Sequence, residues 1–194
     1  VTDTDQAEPT FDEPRVPILI AMAGLPGAGK STIAEVLSAR LGAPIVSVDP
    51  IESAILHAGI DDDQPTGLAA YLVAETMAEQ VLASGQTVIV DAVNAVEPAR
   101  LQWRELAKRT GVELRVVEVV CSDLELHKQR LEKRVRNLPH LEEVTWLGVE
   151  QSLEDYQEWG GDTASLARVT VDTTDTIGNN VDAALAFVTT PRDA

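Results

Sequence analysis

The order of apolar segments in this 194-residue chain predicts an α/β fold of three layers. A central parallel sheet of five strands should carry helices on both faces, with a small helical lid beside it. Three observations point there. Short apolar runs alternate with stripes of helical spacing, the signature of successive βαβ units. The first run, Val16 to Ala23, contains no polar residue, as suits a strand buried on both sides. Helical stripes also end repeatedly at a glycine (Gly42, Gly85, Gly111), where a left-handed stop costs least.

The elements follow in order. Pro17 sits at the start of the first strand, where a missing N–H is tolerated. Ser31 to Leu41 carries Ile33, Val36, Leu37 and Leu41 at helical spacing. Pro44 to Val48 is a short strand ending at Asp49. Gly67 to Ser84 is a helix, with Leu68, Leu72, Thr76 and Glu79 turning around it. Thr87 to Val90 is a strand ending at Asp91, and Glu97 to Thr110 the next helix. After the strand Leu114 to Val120, Asp123 can cap a helix running to about Arg136. Leu141 to Trp159 reads as mostly helical, Arg168 to Val171 as the last strand, and Asn179 to Val188 as the closing helix.

One segment carries chemistry by its spacing. Gly24-Leu25-Pro26-Gly27-Ala28-Gly29-Lys30-Ser31 matches G-x-x-x-x-G-K-[ST] in full, between a buried-type strand and an amphipathic helix. Its glycines let the main chain close around a polyphosphate, and its N–H groups form an anion nest. The helix start at Ser31 and Thr32 adds a positive dipole end. Lys30 can reach the β- and γ-phosphates, and the Ser31 hydroxyl can ligate Mg²⁺. The expected architecture is therefore the P-loop NTPase fold, and the expected cofactors are ATP and Mg²⁺. Asp49 ends the second strand and Asp91 the third, and both should project from the same sheet edge as the loop. Asp49 can take or orient the proton of an attacking hydroxyl, and Asp91 can hold the water shell of Mg²⁺. Asp49 could equally cap a helix starting at Pro50.

Charge narrows the partners. The formal net charge is −17, and the five acids before Arg15 supply only part of it. An acidic body repels phosphate backbones, which disfavours nucleic acid as a partner. No apolar run approaches the roughly 20 residues needed to cross a bilayer, so the expectation is a cytoplasmic protein with no membrane contact. Val1 to Pro14 reads as a disordered acidic arm ahead of one domain, residues 15–190, whose lid covers about 134–145. The single cysteine, Cys121, reads as a buried structural thiol, and the scattered histidines (57, 127, 140) offer no zinc spacing.

The P-loop, Val48-Asp49, the Val90-Asp91-Ala92-Val93-Asn94 segment and the Arg-rich helix end at 127–136 together resemble one family of small P-loop kinases. It groups the zeta-toxin-like, gluconate-kinase-like and polynucleotide-5′-kinase-like ATP-binding proteins. The resemblance covers nearly everything from Val16 to Val188. It implies that Asp49 serves as base or orienter for the accepting hydroxyl, and that Asp91 to Asn94 line the acceptor pocket. It also marks a departure: an arginine often stands three residues after the strand-two aspartate in that family, and this chain has Glu52. An acceptor bearing phosphate or carboxylate would lose its partner there.

Arg130 and Arg134 are four apart and would share a helical face before the lid. Arg134 is the first choice for the transferring phosphate, and Arg130 for the base or the α/β-phosphates; a solvated, salt-bridged face is the plainer alternative. Arg100 could reach the pocket mouth or be a surface charge. Trp146, Tyr156 and Trp159 are core packing or a stacking wall for the acceptor. The leading function is an ATP-dependent phosphotransferase acting on a small-molecule hydroxyl: a sugar, nucleoside, nucleotide sugar or antibiotic. The alternatives are a nucleotide-binding ATPase or regulatory switch, and a polynucleotide 5′-hydroxyl kinase. No Asn-Lys-x-Asp segment for guanine is present.

Overall fold

The computed structural model describes residues 16–61 and 63–190, so the acidic arm lies outside the described residues. Five strands, β1 (Ile18–Ala23), β2 (Ile45–Ser47), β3 (Val88–Asp91), β4 (Glu113–Val120) and β5 (Arg168–Asp172), form one sheet. Their order is β2-β3-β1-β4-β5, and every pairing is parallel. The chain leaves β1 to one side for β2 and β3, then crosses to the other side for β4 and β5. The β1 C-terminus therefore opens into the middle of the sheet edge, the position at which such sheets bind ligands.

Helices cover both faces. Alternate residues of β1 point opposite ways: Leu19, Ala21 and Ala23 join one core, and Ile20 and Met22 the other. This two-sided burial explains the unbroken apolar run, and each fully buried Leu or Ile contributes about 1.5–3 kcal/mol. One face is covered by α1 (Lys30–Leu41), through Ile33, Ala34 and Leu37, and by α7 (Ile177–Thr189), through Val181, Ala184 and Val188. The other is covered by α3 (Thr66–Ala83) and α4 (Glu97–Thr110). A short α2 (Val48–His57) packs on α3. Helix α1 stops at Gly42, with φ 65°, as expected.

Three details differ from expectation. Helix α3 meets the sheet through Ala70, Ala74, Ala78 and Leu82, while Leu68 and Leu72 are exposed. Alanines every fourth residue let the helix lie close to the strands, so the larger side chains turn outward. The helix after Asp123, α5 (Leu124–Lys133), ends before the arginines at 134 and 136. Its cap is as expected, with Asp123 Oδ1 accepting from Leu126 N at 3.0 Å. Residues 134–145 are irregular, and α6 (Trp146–Asp155) is shorter than the expected helix. Among the described residues, no helix is long and apolar enough to cross a membrane.

Candidate active site

The turn from Gly24 to Gly29 joins β1 to α1 and lies between the ends of β3 and β4. Gly24 N donates to Val93 O at 3.0 Å. A Cβ at Gly24 would stand 2.1 Å from Val119 O, and its φ is 135°. Only glycine fits so near a neighbouring strand. No side chain caps the N-terminus of α1, so its first N–H groups face the turn as an anion site. Lys30 is buried, and its Nζ donates to Leu25 O at 3.1 Å. Burial lowers its pKa, against the opposing pull of Asp91 and Asp49, while Arg134 and Arg136 lower it further. The turn is tied from behind as well. His127 Nε2 donates to Pro26 O at 2.8 Å, and Thr173 Oγ1 donates to Ala28 O at 2.8 Å.

The Ser31 hydroxyl donates to Asp91 Oδ2 at 2.7 Å. Asp91 ends β3 and is 9% exposed, and its Oδ1 has no hydrogen-bond partner among the described residues. A buried carboxylate oxygen without a partner is costly. A carboxylate beside a hydroxyl at a phosphate-type loop is a hard-oxygen donor set that fits Mg²⁺ with part of its water shell.

Two cavities meet here. The first, about 310 Å³, is bordered by Gly27, Gly29, Thr32, Arg130, Thr173 and Asp175. The second, about 390 Å³, is bordered by Ser47, Asp49, Glu52, Asp91, Arg136 and Leu138. Lys30, Ser31 and Arg134 border both. Arg130 reaches its position through Thr173, donating to Oγ1 at 2.8 Å and to the carbonyl at 2.9 Å. Arg134 caps α5 in extended conformation, so it does not share a helical face with Arg130. It faces the junction because the chain turns there. Cys121 is buried, with its Sγ 3.4 Å from Asp123 O.

Asp49 lies in the first turn of α2, just past the N-cap Ser47. No side-chain bond caps that helix. Instead, Asp49 Oδ2 pairs with Arg136 Nη1 at 2.7 Å. Arg136 also donates through Nε to Glu143 at 3.1 Å and through Nη2 to Glu142 O at 3.0 Å. Glu143 is held below the usual carboxylate range: burial opposes this, but its bonds and charge contacts with Arg136 outweigh it. The sequence reading missed this clasp. Its partners are 87 residues apart, and no local pattern links them.

Two expected acceptor residues require correction. Asn94 is 1% exposed, with both ends of its amide committed. Its Nδ2 donates to Met22 O at 2.6 Å, and its Oδ1 accepts from Trp103 Nε1 at 2.8 Å. It is a strut between β1 and α4 rather than a lining of the pocket. Arg100 is 2% exposed and donates to the carbonyls of Asn94, Ala95, Gln157 and Glu158. Its guanidinium lies 3.9 Å from the Trp159 ring centroid and 5.1 Å from that of Tyr156. It pins the chain after α6 to the start of α4 and does not reach the cleft. The same contacts assign two of the aromatics. Tyr156 and Trp159 both donate to the buried Glu118, at 3.0 and 2.6 Å, so they serve packing. Trp146 stands edge-on to His127. None of the three borders the second cavity.

A profile of the family described as AAA domain matches residues 19–159. No curated protein matches with significance. Solved structures of the same fold include a sugar kinase from Janibacter sp. HTCC2649, 16% identical, with TM-score 0.67 over 89% of this chain and 94% of that one. A gluconokinase from Sinorhizobium meliloti 1021 is 22% identical, with TM-score 0.60 over 90% of this chain and 93% of that one. Kti12 from Chaetomium thermophilum, solved with ADP-AlF3, is 21% identical, with TM-score 0.60 over 86% of this chain and 98% of that one.

Proposed function

The chain belongs to the AAA domain family, and from that premise we propose that it is an ATP-dependent kinase transferring the γ-phosphate to a hydroxyl of a small molecule. One observation carries the reading. A nucleotide-sized cavity and a second cavity containing Asp49 open onto the same three residues, Lys30, Ser31 and Arg134. Direct transfer between two bound substrates needs such a junction; a hydrolase or a switch needs no second chamber. The fold shared with a sugar kinase and a gluconokinase supports the same reading.

In this reading the amides from Gly24 to Gly29 cradle the phosphates, and Lys30 and Arg134 receive the charge that spreads over the γ-phosphoryl oxygens. Arg130 and Thr173 border the nucleoside. Ser31 and Asp91 would hold Mg²⁺, which when bound neutralises charge on the β- and γ-phosphates. Asp49 accepts or orients the proton of the attacking hydroxyl. Arg136 holds the Asp49 carboxylate in place and draws the proposed lid, about 134–145, over the second cavity.

The test is ADP release from ATP·Mg²⁺ with and without a panel of hydroxyl acceptors, in the native protein and in Asp49→Asn. We expect acceptor-dependent release that falls about 10²- to 10³-fold in the variant, with ATP affinity within twofold. Hydrolysis indifferent to every acceptor would replace the kinase reading with that of an ATPase or switch.

A further inference from the structure

The second cavity has an uneven charge lining. Its cations are Lys30, Arg134 and Arg136, and its carboxylates are Asp49, Glu52, Asp91 and Glu142. Most of these are already committed. Lys30 and Arg134 are shared with the first cavity, and a polyphosphate there takes them. The Arg136 side chain is 8% exposed and divided between Asp49 and Glu143. Asp91 is bonded to Ser31. Glu52 and Glu142 remain, and neither has a cationic partner among the described residues. Glu52 is nonetheless held in place. Thr66 Oγ1, buried at the start of α3, donates to its Oε1 at 2.9 Å, and its Oε2 has no such bond among the described residues. Burial raises the pKa of Tyr71, and the fields of Asp49, Asp91 and Glu52 add to the rise, so these carboxylates act on one region.

We infer that the acceptor is a polyhydroxyl compound bearing at least one ammonium group, an amino sugar or aminocyclitol, and that Glu52 is the residue that selects it. This rests on the kinase reading above. An acidic or phosphorylated acceptor entering this cavity meets two uncompensated carboxylates and no free cation, whereas an ammonium finds a fixed acceptor in Glu52. The net charge of −17 works in the same direction, since it draws cations toward the protein and repels anions at long range. A cavity of about 390 Å³ is at the lower end of small-ligand sites and suits one or two sugar rings. In the transfer, the acceptor hydroxyl oxygen forms a bond to the γ-phosphorus, and the bond from that phosphorus to the β,γ-bridging oxygen breaks. ADP leaves with the electron pair, and the hydroxyl proton departs through Asp49.

The experiment uses compounds of similar size and different charge: glucosamine, glucose and glucuronate, then neamine against maltose. ADP formation gives kcat/KM for each, and calorimetry with a non-hydrolysable ATP analogue gives binding of the same compounds. The native protein should prefer each amine over its neutral counterpart by about tenfold or more, as one charge-assisted hydrogen bond provides. Added salt should shrink that preference. Glu52→Gln keeps an oxygen for Thr66 and removes the charge. It should lower the amine-to-neutral ratio about fivefold or more through KM, at unchanged melting temperature. Preferred turnover of glucuronate, or a ratio untouched by Glu52→Gln, overturns the inference and leaves the kinase reading standing. Amine binding that is lost in Glu52→Gln, with no compound phosphorylated, keeps the charge selectivity and removes the kinase reading. Neither binding nor turnover of any compound overturns both.

Discussion

The loop from Gly24 to Ser31 is a run of consecutive residues, held by the two strands beside it and tied from behind by His127 and Thr173. The wall around Asp49 is instead closed by Arg136, 87 residues further along the chain. On the side proposed for the nucleotide, the groups that would bind are main-chain amides, whose directions follow from the turn and the helix start. On the opposite side they are side chains brought together by a segment without regular structure, residues 134–145. The first arrangement is held by hydrogen bonds of the turn itself and of its neighbours. The second depends on ion pairs with one exposed partner, since the Asp49 side chain is 40% exposed and Glu143 51%. Such pairs are worth roughly 1 kcal/mol and weaken with salt. In the proposed reading, such a cleft would hold ATP on main-chain amides and leave choice of the acceptor to side chains.

Three measurements break or sharpen that contrast. Lys30→Ala should have the largest effect, lowering ATP turnover about 10²- to 10³-fold, because the buried ammonium is placed before the reaction begins. Turnover within a few-fold of native would mean the loop is not the phosphate site. Arg136→Ala should lower acceptor-dependent turnover about fivefold, roughly the worth of one partly exposed ion pair, and leave the calorimetric affinity for ATP within twofold. A loss of ATP affinity equal to the loss of turnover would show the two sides to be a single unit.

The smallest effect concerns the brace behind the loop. Asp172 Oδ1 accepts from Ser122 N at 3.1 Å and from Thr174 N at 3.0 Å. It thereby orients the segment carrying Thr173, which is bonded to Ala28. Burial works against its charged form, yet those hydrogen bonds lower its pKa from 3.8 to about 2. The carboxylate therefore contributes stability fully above its ordinary pKa and loses it as the pH falls toward 2. Asp172→Asn should lower Tm by about 2 °C or less at pH 6, with the gap to native closing between pH 4 and 2. A gap constant across that window would place the stabilisation in packing rather than charge.

How much of this was legible depended on distance along the chain. The strands, the helix stop at Gly42 and the glycine-rich loop were open to a reading of neighbours at spacings of two to eight residues, whereas the ends of α5 and α6 were not. Asp91 ends β3, as its place after an apolar run implied, whereas Asp49 lies not at a strand end but in the first turn of α2, just beyond β2. Asn94 and Arg100 were misplaced. The family resemblance implied a pocket role for Asn94, and the start of the helix after Asp91 suggested the pocket mouth for Arg100, but Met22, Trp103, Gln157 and Glu158 claim their polar atoms from elsewhere in the chain. The face of α3 was also hidden, since a stripe of alanines carries little hydrophobic signal until the sheet it lies against is known.

Residue order was enough to specify a parallel sheet, an anion-binding turn and the acids near it, because hydrogen-bonded turns and apolar periodicity are short-range effects. Which arginine meets Asp49, which aromatics enclose Arg100, and which carboxylates border the second cavity were settled by folding. Those contacts are selected by burial and charge pairing among segments that meet only once the layers are stacked, and no local pattern encodes them.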